Sequence, residues 1–251
     1  MPPFQLEREE RPLPPLNTPL QYAASCGLHT VVKFLVIGHS RDGHSRGVTE
    51  ETTALQLASS AGHVEVARIL VEHGADVTAK DNFGSTPLHK ASAAGSVDLA
   101  RFLVENGADA TAEDDSGWTP LHTAPRGGSL DLARLLVEHG ADVTAQNVQG
   151  STPLHAVPER GTVDLARFLI EHGASVTVQD QDGSTPLHWA SGLFSINADF
   201  ARFLVENGAD ATARDKGGST PLHTASSYGR ADLARLLVEN GADATAQDNY
   251  G

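Results

Sequence analysis

The chain has 251 residues and is strongly acidic, with 18 Lys and Arg residues against 32 Asp and Glu residues and a formal net charge of -14. This charge repels a phosphate backbone and an anionic membrane surface, so we expect no nucleic-acid partner and no membrane partner. The single cysteine, Cys26, excludes an internal disulfide framework and favours a reducing compartment. We therefore expect an intracellular protein, in the cytoplasm or the nucleus.

Residues 1–16 are interpreted as a polar, proline-rich lead-in. The charged run from Glu7 to Arg11 lies among several prolines, and the segment lacks the apolar stretch of a signal peptide. No uncharged apolar run along the chain approaches the roughly 20 residues that a membrane helix requires.

A short motif then recurs at a nearly constant interval. Thr86-Pro87-Leu88-His89 returns at residues 119–122, 152–155, 185–188 and 220–223, and most steps are 33 residues long. Such a period is typical of a solenoid, whose stacked units share a continuous core. Residues 17–251 are thus predicted to form one domain, with units starting near residues 17, 49, 80, 113, 146, 179 and 214 and a truncated unit at 247–251.

The first two units depart from the motif. Thr18-Pro19-Leu20-Gln21 and Thr53-Ala54-Leu55-Gln56 carry Gln where the later units have His, which indicates a degenerate first unit and a nearly regular second one. Terminal repeats are expected to differ because one of their faces lacks a neighbour.

Each regular unit is predicted to hold two short helices. In the unit at residues 80–112, Thr86 is suited to cap the first helix, Pro87 to its first position and Gly95 to a left-handed exit. A second helix follows, with Ser96 as its cap, Gly107 at its end and an apolar stripe at Leu99, Phe102 and Leu103. The acidic and glycine residues of 113–117 suit a tight turn before the next unit.

These motifs resemble the ankyrin repeat. The likeness is carried by residues 84–91, Gly-Ser-Thr-Pro-Leu-His-Lys-Ala, and by residues 103–109, Leu-Val-Glu-Asn-Gly-Ala-Asp, and it recurs from Thr53 to Ala246. The resemblance implies an all-α ankyrin-repeat solenoid of helix-turn-helix units joined by β-turn or hairpin fingers. It also implies a partner protein that contacts the finger tips and the first helices on the concave side.

Residues that vary between units are therefore the candidates for partner binding. The aromatic ones are Phe83 and Trp118 at finger positions, and Trp189 and Tyr228 in or just after a first helix. Exposed Trp and Tyr often anchor interfaces, although each of these rings has the alternative of packing on its neighbouring repeat. The full candidate set is Phe83, Trp118, Trp189, Tyr228, Phe194, Lys90 and Arg126.

Three irregularities carry structural predictions. Pro125 and Pro158 fall inside two successive first helices and are expected to shorten or kink them. Residues 191–197 form a longer link, whose apolar side chains either tuck under the loop or form a patch for a partner. At the C-terminal end, the apolar face of Leu233, Leu236 and Leu237 is expected to be partly exposed and to fray first.

The sequence gives little indication of catalysis or of metal binding. Gly43-His44-Ser45-Arg46-Gly47 matches the nucleophile elbow of hydrolases, but the strand and helix that an elbow requires are not predicted around it. The five motif histidines are interpreted as structural groups beside their capping threonines, and no Cys/His spacing resembles a zinc site. We expect no catalytic residue, no metal and no cofactor.

Three functions remain open at this point. The first is a non-enzymatic, monomeric scaffold that binds a partner protein, with aromatic anchors and an acidic surround. The second is the recognition or spacer array of a larger signalling protein whose effector domain lies outside this chain. The third is a stand-alone enzyme that uses Ser45.

Overall fold

The computed structural model describes residues 18–40, 48–160, 162–192 and 198–249. All regular secondary structure within these ranges is helical, so the predicted all-α class is confirmed. The lead-in at residues 1–16, the Ser45 motif and most of the longer link, residues 193–197, lie outside the described residues.

The chain divides into two compact units, residues 1–76 and 77–251. The first unit holds α1 (Pro19–Ser25), α2 (His29–Ser40), α3 (Val48–Ser60) and α4 (Val64–Glu72). The described part of the second unit holds five helix pairs: α5 (Pro87–Ala93) and α6 (Val97–Glu105), α7 (Pro120–Gly127) and α8 (Leu130–Glu138), α9 (Pro153–Arg160) and α10 (Val163–Glu171), α11 (Pro186–Ser191) and α12 (Ala198–Glu206), and α13 (Pro221–Ser227) and α14 (Ala231–Glu239). Odd-numbered helices are the first helices of their repeats and even-numbered ones are the second helices.

The predicted caps account for the bounds of the first helices. Thr119 has an extended backbone and its hydroxyl accepts the amide hydrogen of His122, while Pro120 holds the first helical position. Gly128 ends the same helix in the left-handed region, with φ 65°. Thr86 is likewise the N-cap residue of α5, with its amide and hydroxyl bonded to Nδ1 of His89, and Gly95 follows the end of that helix with φ 70°, so the predicted cap position and left-handed exit are confirmed for that unit.

The core of the second unit is a repeated layer of aliphatic side chains. Leu88 and Ala91 on α5 and Leu99 and Leu103 on α6 are fully buried, as are most of their equivalents in the following repeats. First helices pack on neighbouring first helices, and second helices pack on neighbouring second helices. Each buried leucine contributes about 2 kcal/mol, so the stacking of repeats supplies the stability that one repeat lacks.

In the first unit, α3 starts earlier than the motif alone suggests. It begins at Val48, five residues before Thr53, whereas α1 begins directly after its capping Thr18. The difference follows from residue 54, since Ala54 stands where the other units have a proline that favours the first position of a helix. Ala54 is a strong helix former that sits comfortably in a helix interior.

Two structural predictions need correction, and the first concerns the expected shortening of the helices that contain prolines. The helices that contain Pro125 and Pro158 are not shortened, because α7 and α9 have eight residues each against six or seven in α5, α11 and α13. Pro125 lacks only one amide donor and lies near the end of its helix, where its own carbonyl accepts the amide of Gly128 at 3.0 Å. Whether the axes kink stays a prediction.

The second correction concerns the last repeat. Leu233, Leu236 and Leu237 are only 4%, 6% and 0% exposed, so the expected exposure of this face is wrong. These leucines belong to α14, which packs on α12 and α13. The exposure falls instead on Leu222 of α13, which is half-buried although its equivalents in α5 to α11 are buried. The expected fraying stays a prediction.

Candidate binding surface

Each finger of the second unit is a turn organised by one side chain at its base. Asp114 accepts the amide hydrogens of Ser116 and Trp118 on the same carboxylate oxygen, both at 2.9 Å. Its backbone amide in turn donates to the Trp118 carbonyl, also at 2.9 Å. Equivalent turns surround Asp81, Asn147, Asp180 and Asp215. The finger shape is therefore fixed by local hydrogen bonds, and the residues at its tip are free to vary.

Neighbouring fingers are joined by backbone hydrogen bonds. The backbone amide of Asp115 donates to the carbonyl of Phe83 at 3.0 Å. In the next finger, the amide of Val148 donates to the carbonyl of Ser116 at 2.9 Å. This close approach explains a recurring glycine: Gly117 has φ 73°, and a Cβ atom there would lie 3.0 Å from the Val148 nitrogen. The fingers thus form a continuous backbone surface across the second unit.

The motif histidines join the first helices to the fingers. In His122, Nδ1 accepts the amide hydrogen of Thr119 at 3.1 Å, and Nε2 donates to the carbonyl of Ser151 in the next finger at 3.0 Å. The equivalent Nε2 bonds reach Trp118 at 2.9 Å, Ser184 at 3.3 Å and Ser219 at 3.2 Å. These bonds confirm that the histidines are structural, and they add a contact between repeats.

Burial keeps these imidazoles neutral. It lowers the pKa of His122 to about 4, and the opposing effect of the hydrogen bond to Ser151 is smaller. Burial also lowers the pKa of His89, His155 and His188. Neutral rings suit the geometry because an unprotonated Nδ1 is needed to accept the threonine amide hydrogen.

A second set of side chains caps the second helices. Nδ1 of His73, His139 and His172 lies 2.8 Å from the carbonyl four residues earlier. The amide groups of Asn106, Asn207 and Asn240 donate to the same kind of carbonyl at 2.7 to 2.8 Å. Each of these carbonyls also accepts the backbone amide hydrogen of the same capping residue, so the side chain adds a second hydrogen bond at the end of the helix.

The aromatic candidates differ in exposure. Phe83, at a finger tip, is 60% exposed, and Trp189 on α11 is 38% exposed; Tyr228, which caps the end of α13, is also exposed. Trp118 is half-buried, and its ring meets that of His122 edge-on at 5.6 Å. Trp118 thus contacts a ring of its own repeat, whereas the other three aromatic candidates are exposed.

Lys90 and Trp189 occupy the same position in their respective repeats. The Lys90 ammonium pairs with the Asp81 carboxylate at 2.6 Å, and the Trp189 indole nitrogen donates to the Asp180 carboxylate at 2.9 Å. Both bonds tie a first helix to the finger that precedes it. We call this position the finger-facing position; it comprises Lys90, Thr123, Ala156, Trp189 and Thr224.

One exposed apolar residue of the fingers, Val148, is not aromatic and was therefore not among the candidates. Val148 is 55% exposed at the tip of its finger. It is the one apolar residue at this position, since the equivalent residues of the other fingers are Asn82, Asp115, Gln181 and Lys216. Phe194 and the side chain of Arg126 lie outside the described residues.

Two further features, a cluster of metal-binding side chains and a membrane-spanning helix, were sought among the described residues. Within them, no group of three or more His, Cys, Asp or Glu side chains is placed to hold a metal ion. Nor do those ranges contain a helix with the length and hydropathy of a transmembrane span.

Paired short helices, stacked at a fixed sequence interval and linked by hydrogen-bonded fingers, define a helical repeat protein of the kind that generally serves protein–protein interaction. A family model described as ankyrin repeats (3 copies) matches residues 9–81, 79–147, 144–215 and 181–248. The chain therefore belongs to the ankyrin-repeat family, as the sequence motifs predicted.

Solved and curated proteins agree with this assignment. The crystal structure of the human ASB11 ankyrin repeat domain superposes with a TM-score of 0.75 and 28% identity, over 90% of this chain and 99% of that one. Alpha-latrocrustotoxin-Lt1a of Latrodectus tredecimguttatus is 38% identical over 71 residues, and azaphilone pigments biosynthesis cluster protein L of Monascus ruber is 33% identical over 73 residues. These segments cover 28% and 27% of this chain but only 5% and 15% of the two relatives.

Proposed function

We propose that this chain is a non-enzymatic scaffold that binds a partner protein inside the cell, through the finger tips and the finger-facing position of its second unit. Residues 17–251 act in this proposal as one ankyrin-repeat domain. The anchors are Phe83, Trp189 and Tyr228, with Lys90 and Trp118 beside them. Phe194 and Arg126 complete the candidate set taken from the sequence.

One observation carries the proposal. Large aromatic side chains are exposed at positions that the repeat framework leaves free. The residue at the Phe83 position is Ser116, Gln149, Asp182 or Gly217 in the other fingers, so folding does not require a ring there. Exposed rings such as Phe83 and Trp189 lower solubility and add nothing to the stacked core. Aromatic side chains of this kind are, however, enriched among interface hot spots.

The polar contacts of Trp189 strengthen the argument. Its indole nitrogen is held by the Asp180 carboxylate, and that carboxylate also accepts backbone hydrogen bonds of its own finger. The ring is thereby oriented before any partner arrives, which lowers the entropy cost of binding. Lys90 is held by Asp81 in the same way, so two repeats present pre-ordered side chains.

The charge of the surface sets the kind of partner. Asp115 and Asp182 are exposed beside the aromatic positions, and the whole chain carries a net charge of -14. A partner surface with apolar pockets and surrounding basic residues fits this arrangement. Association with it is expected to slow as salt concentration rises, because electrostatic steering is screened.

Affinity capture from cell extract tests the proposal when three proteins are compared. The first is the unchanged chain, and the second carries Ala at Phe83, Trp118, Trp189 and Tyr228. The third carries Ala at Glu105 and Arg202, which are exposed on second helices away from the fingers. Proteins retained on each are identified by mass spectrometry, and the affinity of each purified candidate is measured by calorimetry.

We expect one protein to bind the unchanged chain and the second-helix variant equally, and to bind the aromatic variant at least tenfold more weakly, since hot-spot truncations cost about 2 kcal/mol or more. Circular dichroism must show that all three proteins are folded. Equal binding to the aromatic variant and the unchanged chain would contradict the proposed surface.

A further inference from the structure

The second helix of the first unit carries an uncovered apolar face. Phe34 of α2 is 76% exposed, and Val31 and Ile37, one turn to either side, are both 42% exposed. At the position of Phe34, the later second helices carry side chains that are almost completely buried, including Leu135 at 1% and Phe168 at 4%. A phenylalanine at this repeat position is thus buried on α10, as Phe168, and exposed on α2, as Phe34.

The packed copies of this position show what covers it. The guanidinium group of Arg134 lies over the Phe168 ring at 5.0 Å, and that of Arg167 lies over the Phe203 ring at 4.8 Å. In both cases the arginine comes from the second helix of the preceding repeat, and those helices pack on each other. An arginine over an aromatic face adds a cation–π attraction to the apolar contacts around it.

The matching half of this interface is exposed on α14. Arg235 holds the position of Arg134 and Arg167 and is exposed, and Val238, one turn further on, is 46% exposed. Val137 and Ile170, the equivalents of Val238 in α8 and α10, are half-buried. The chain therefore displays both partners of a contact that it makes repeatedly within its own second unit.

We propose that copies of this chain associate head to tail, with α14 of one copy packed against α2 of the next. Arg235 stacks on Phe34 of the other copy, and Val238 covers part of the apolar face beside Ile37. The contact continues the second-helix packing of the array from one molecule into another. Because the two surfaces differ, the interface is heterologous and adds copies at both ends rather than closing a symmetric pair.

The charges of the two helices agree with this pairing. The segment from His29 to Ser40 contains no acidic residue and carries the exposed Lys33, whereas α14 contains Asp232 and Glu239. Two α2 faces brought together would bury apolar area but place lysine near lysine. The head-to-tail arrangement instead brings a basic helix to one with an acidic excess.

Sedimentation equilibrium of the full chain tests this proposal over about 10 to 500 μM, a range that reveals weak association. One variant carries Phe34→Glu, and a second carries Arg235→Glu with Val238→Asp. Matched controls are Tyr22→Glu on α1 and Val148→Asp at a finger, because both residues are exposed apolar side chains outside the proposed contact. Circular dichroism confirms that every variant is folded.

We expect the average mass of the unchanged chain and of both controls to rise with concentration above 26.4 kDa. Each of the two end variants alone should stay at 26.4 kDa. An equimolar mixture of the two should form dimers, because each supplies the surface that the other has lost. This rescue on mixing is specific to a heterologous contact.

Three results overturn the proposal. One is a constant mass of 26.4 kDa for the unchanged chain, which is the monomer expected from the sequence. Another is association that Phe34→Glu abolishes but the α14 variant leaves intact, since that would indicate two α2 faces in contact. The third is the absence of dimers in the mixture when both variants are folded and the unchanged chain associates.

Discussion

Replacing His122 with Gln should make the stability of the protein less sensitive to pH. Gln is the matched substitution because the chain itself has Gln21 and Gln56 at the equivalent position of its first two repeats. Glutamine keeps hydrogen-bonding capacity but does not titrate in this range. The difference in pH dependence between the two proteins therefore measures the effect of the proton that the imidazole binds.

The magnitude follows from the two pKa values of His122. Its ordinary value of 6.5 applies to the unfolded chain, and burial lowers the pKa to about 4 in the folded protein. Below pH 6.5 the unfolded state binds a proton that the folded state does not bind until about pH 4, so the free energy of unfolding falls as pH falls through this window. Between pH 7 and pH 5 the loss due to His122 is about 2 kcal/mol.

Urea unfolding at pH 7 and pH 5 measures this loss in both proteins. The lower limit of pH 5 keeps most carboxylates ionised in both states, and the lowered pKa values of His89, His155 and His188 affect both proteins alike. We expect the unchanged chain to lose about 2 kcal/mol more than the variant. Fluorescence and circular dichroism transitions must coincide, because repeat arrays can unfold in steps.

An equal pH dependence in the two proteins, within about 0.5 kcal/mol, would refute the reasoning. A second measurement distinguishes the causes. Two-dimensional NMR of the imidazole nitrogens should show His122 neutral at pH 5.5, with Nδ1 unprotonated. A midpoint near 6.5 would mean that the ring is not buried between Thr119 and Ser151 as the structure places it.

Two further pairs of substitutions test the framework. Gly117→Ala should destabilise by about 1 kcal/mol more than Gly107→Ala in urea unfolding, since both have positive φ but only the first meets neighbouring backbone. Similar losses would show that the finger adjusts. Ser92→Ala should change stability by less than about 0.5 kcal/mol, because the buried Ser92 hydroxyl has no hydrogen-bond partner among the described residues. Ser191→Ala should cost about 1 kcal/mol through loss of the 2.7 Å bond to the Leu187 carbonyl. Reversed losses for this pair would contradict the hydrogen-bond assignment.

Much of the repeat could be predicted from the sequence because its signals are local. A cap such as Thr119, a proline at the next residue and a glycine at the helix end act within one turn of backbone, and the structure has them where the sequence predicts. The nearly constant interval then extended the same conclusion to the later units, which keep the motif. Fold and family followed from these short-range rules and their repetition.

What the sequence did not predict depends on contacts between repeats. The bond from His122 to the Ser151 carbonyl spans 29 residues, and no local pattern specifies it. The burial of Leu233 depends likewise on which side of the last repeat is covered by its neighbours. The length of the helix around Pro125 was predicted wrongly for a different reason, because a helix of only two turns loses little when one amide donor is absent near its end.

The candidate surface was only partly predictable, and the finger-facing position shows why. Lys90 and Trp189 have unlike chemistry, yet each donates a hydrogen bond to the aspartate at the base of the preceding finger. Folding requires at this position only a side chain that fits beside the finger. Ala156 meets this requirement although its side chain has no hydrogen-bond donor. Substitution here therefore alters what the surface presents while the threonine cap, the buried histidine and the finger glycine keep the repeat folded. The residues that hold the fold are thus separate from the residue that faces a partner, so a repeat can change its partner without losing stability. For the same reason, the sequence signals that reveal the fold differ from those that would identify the partner.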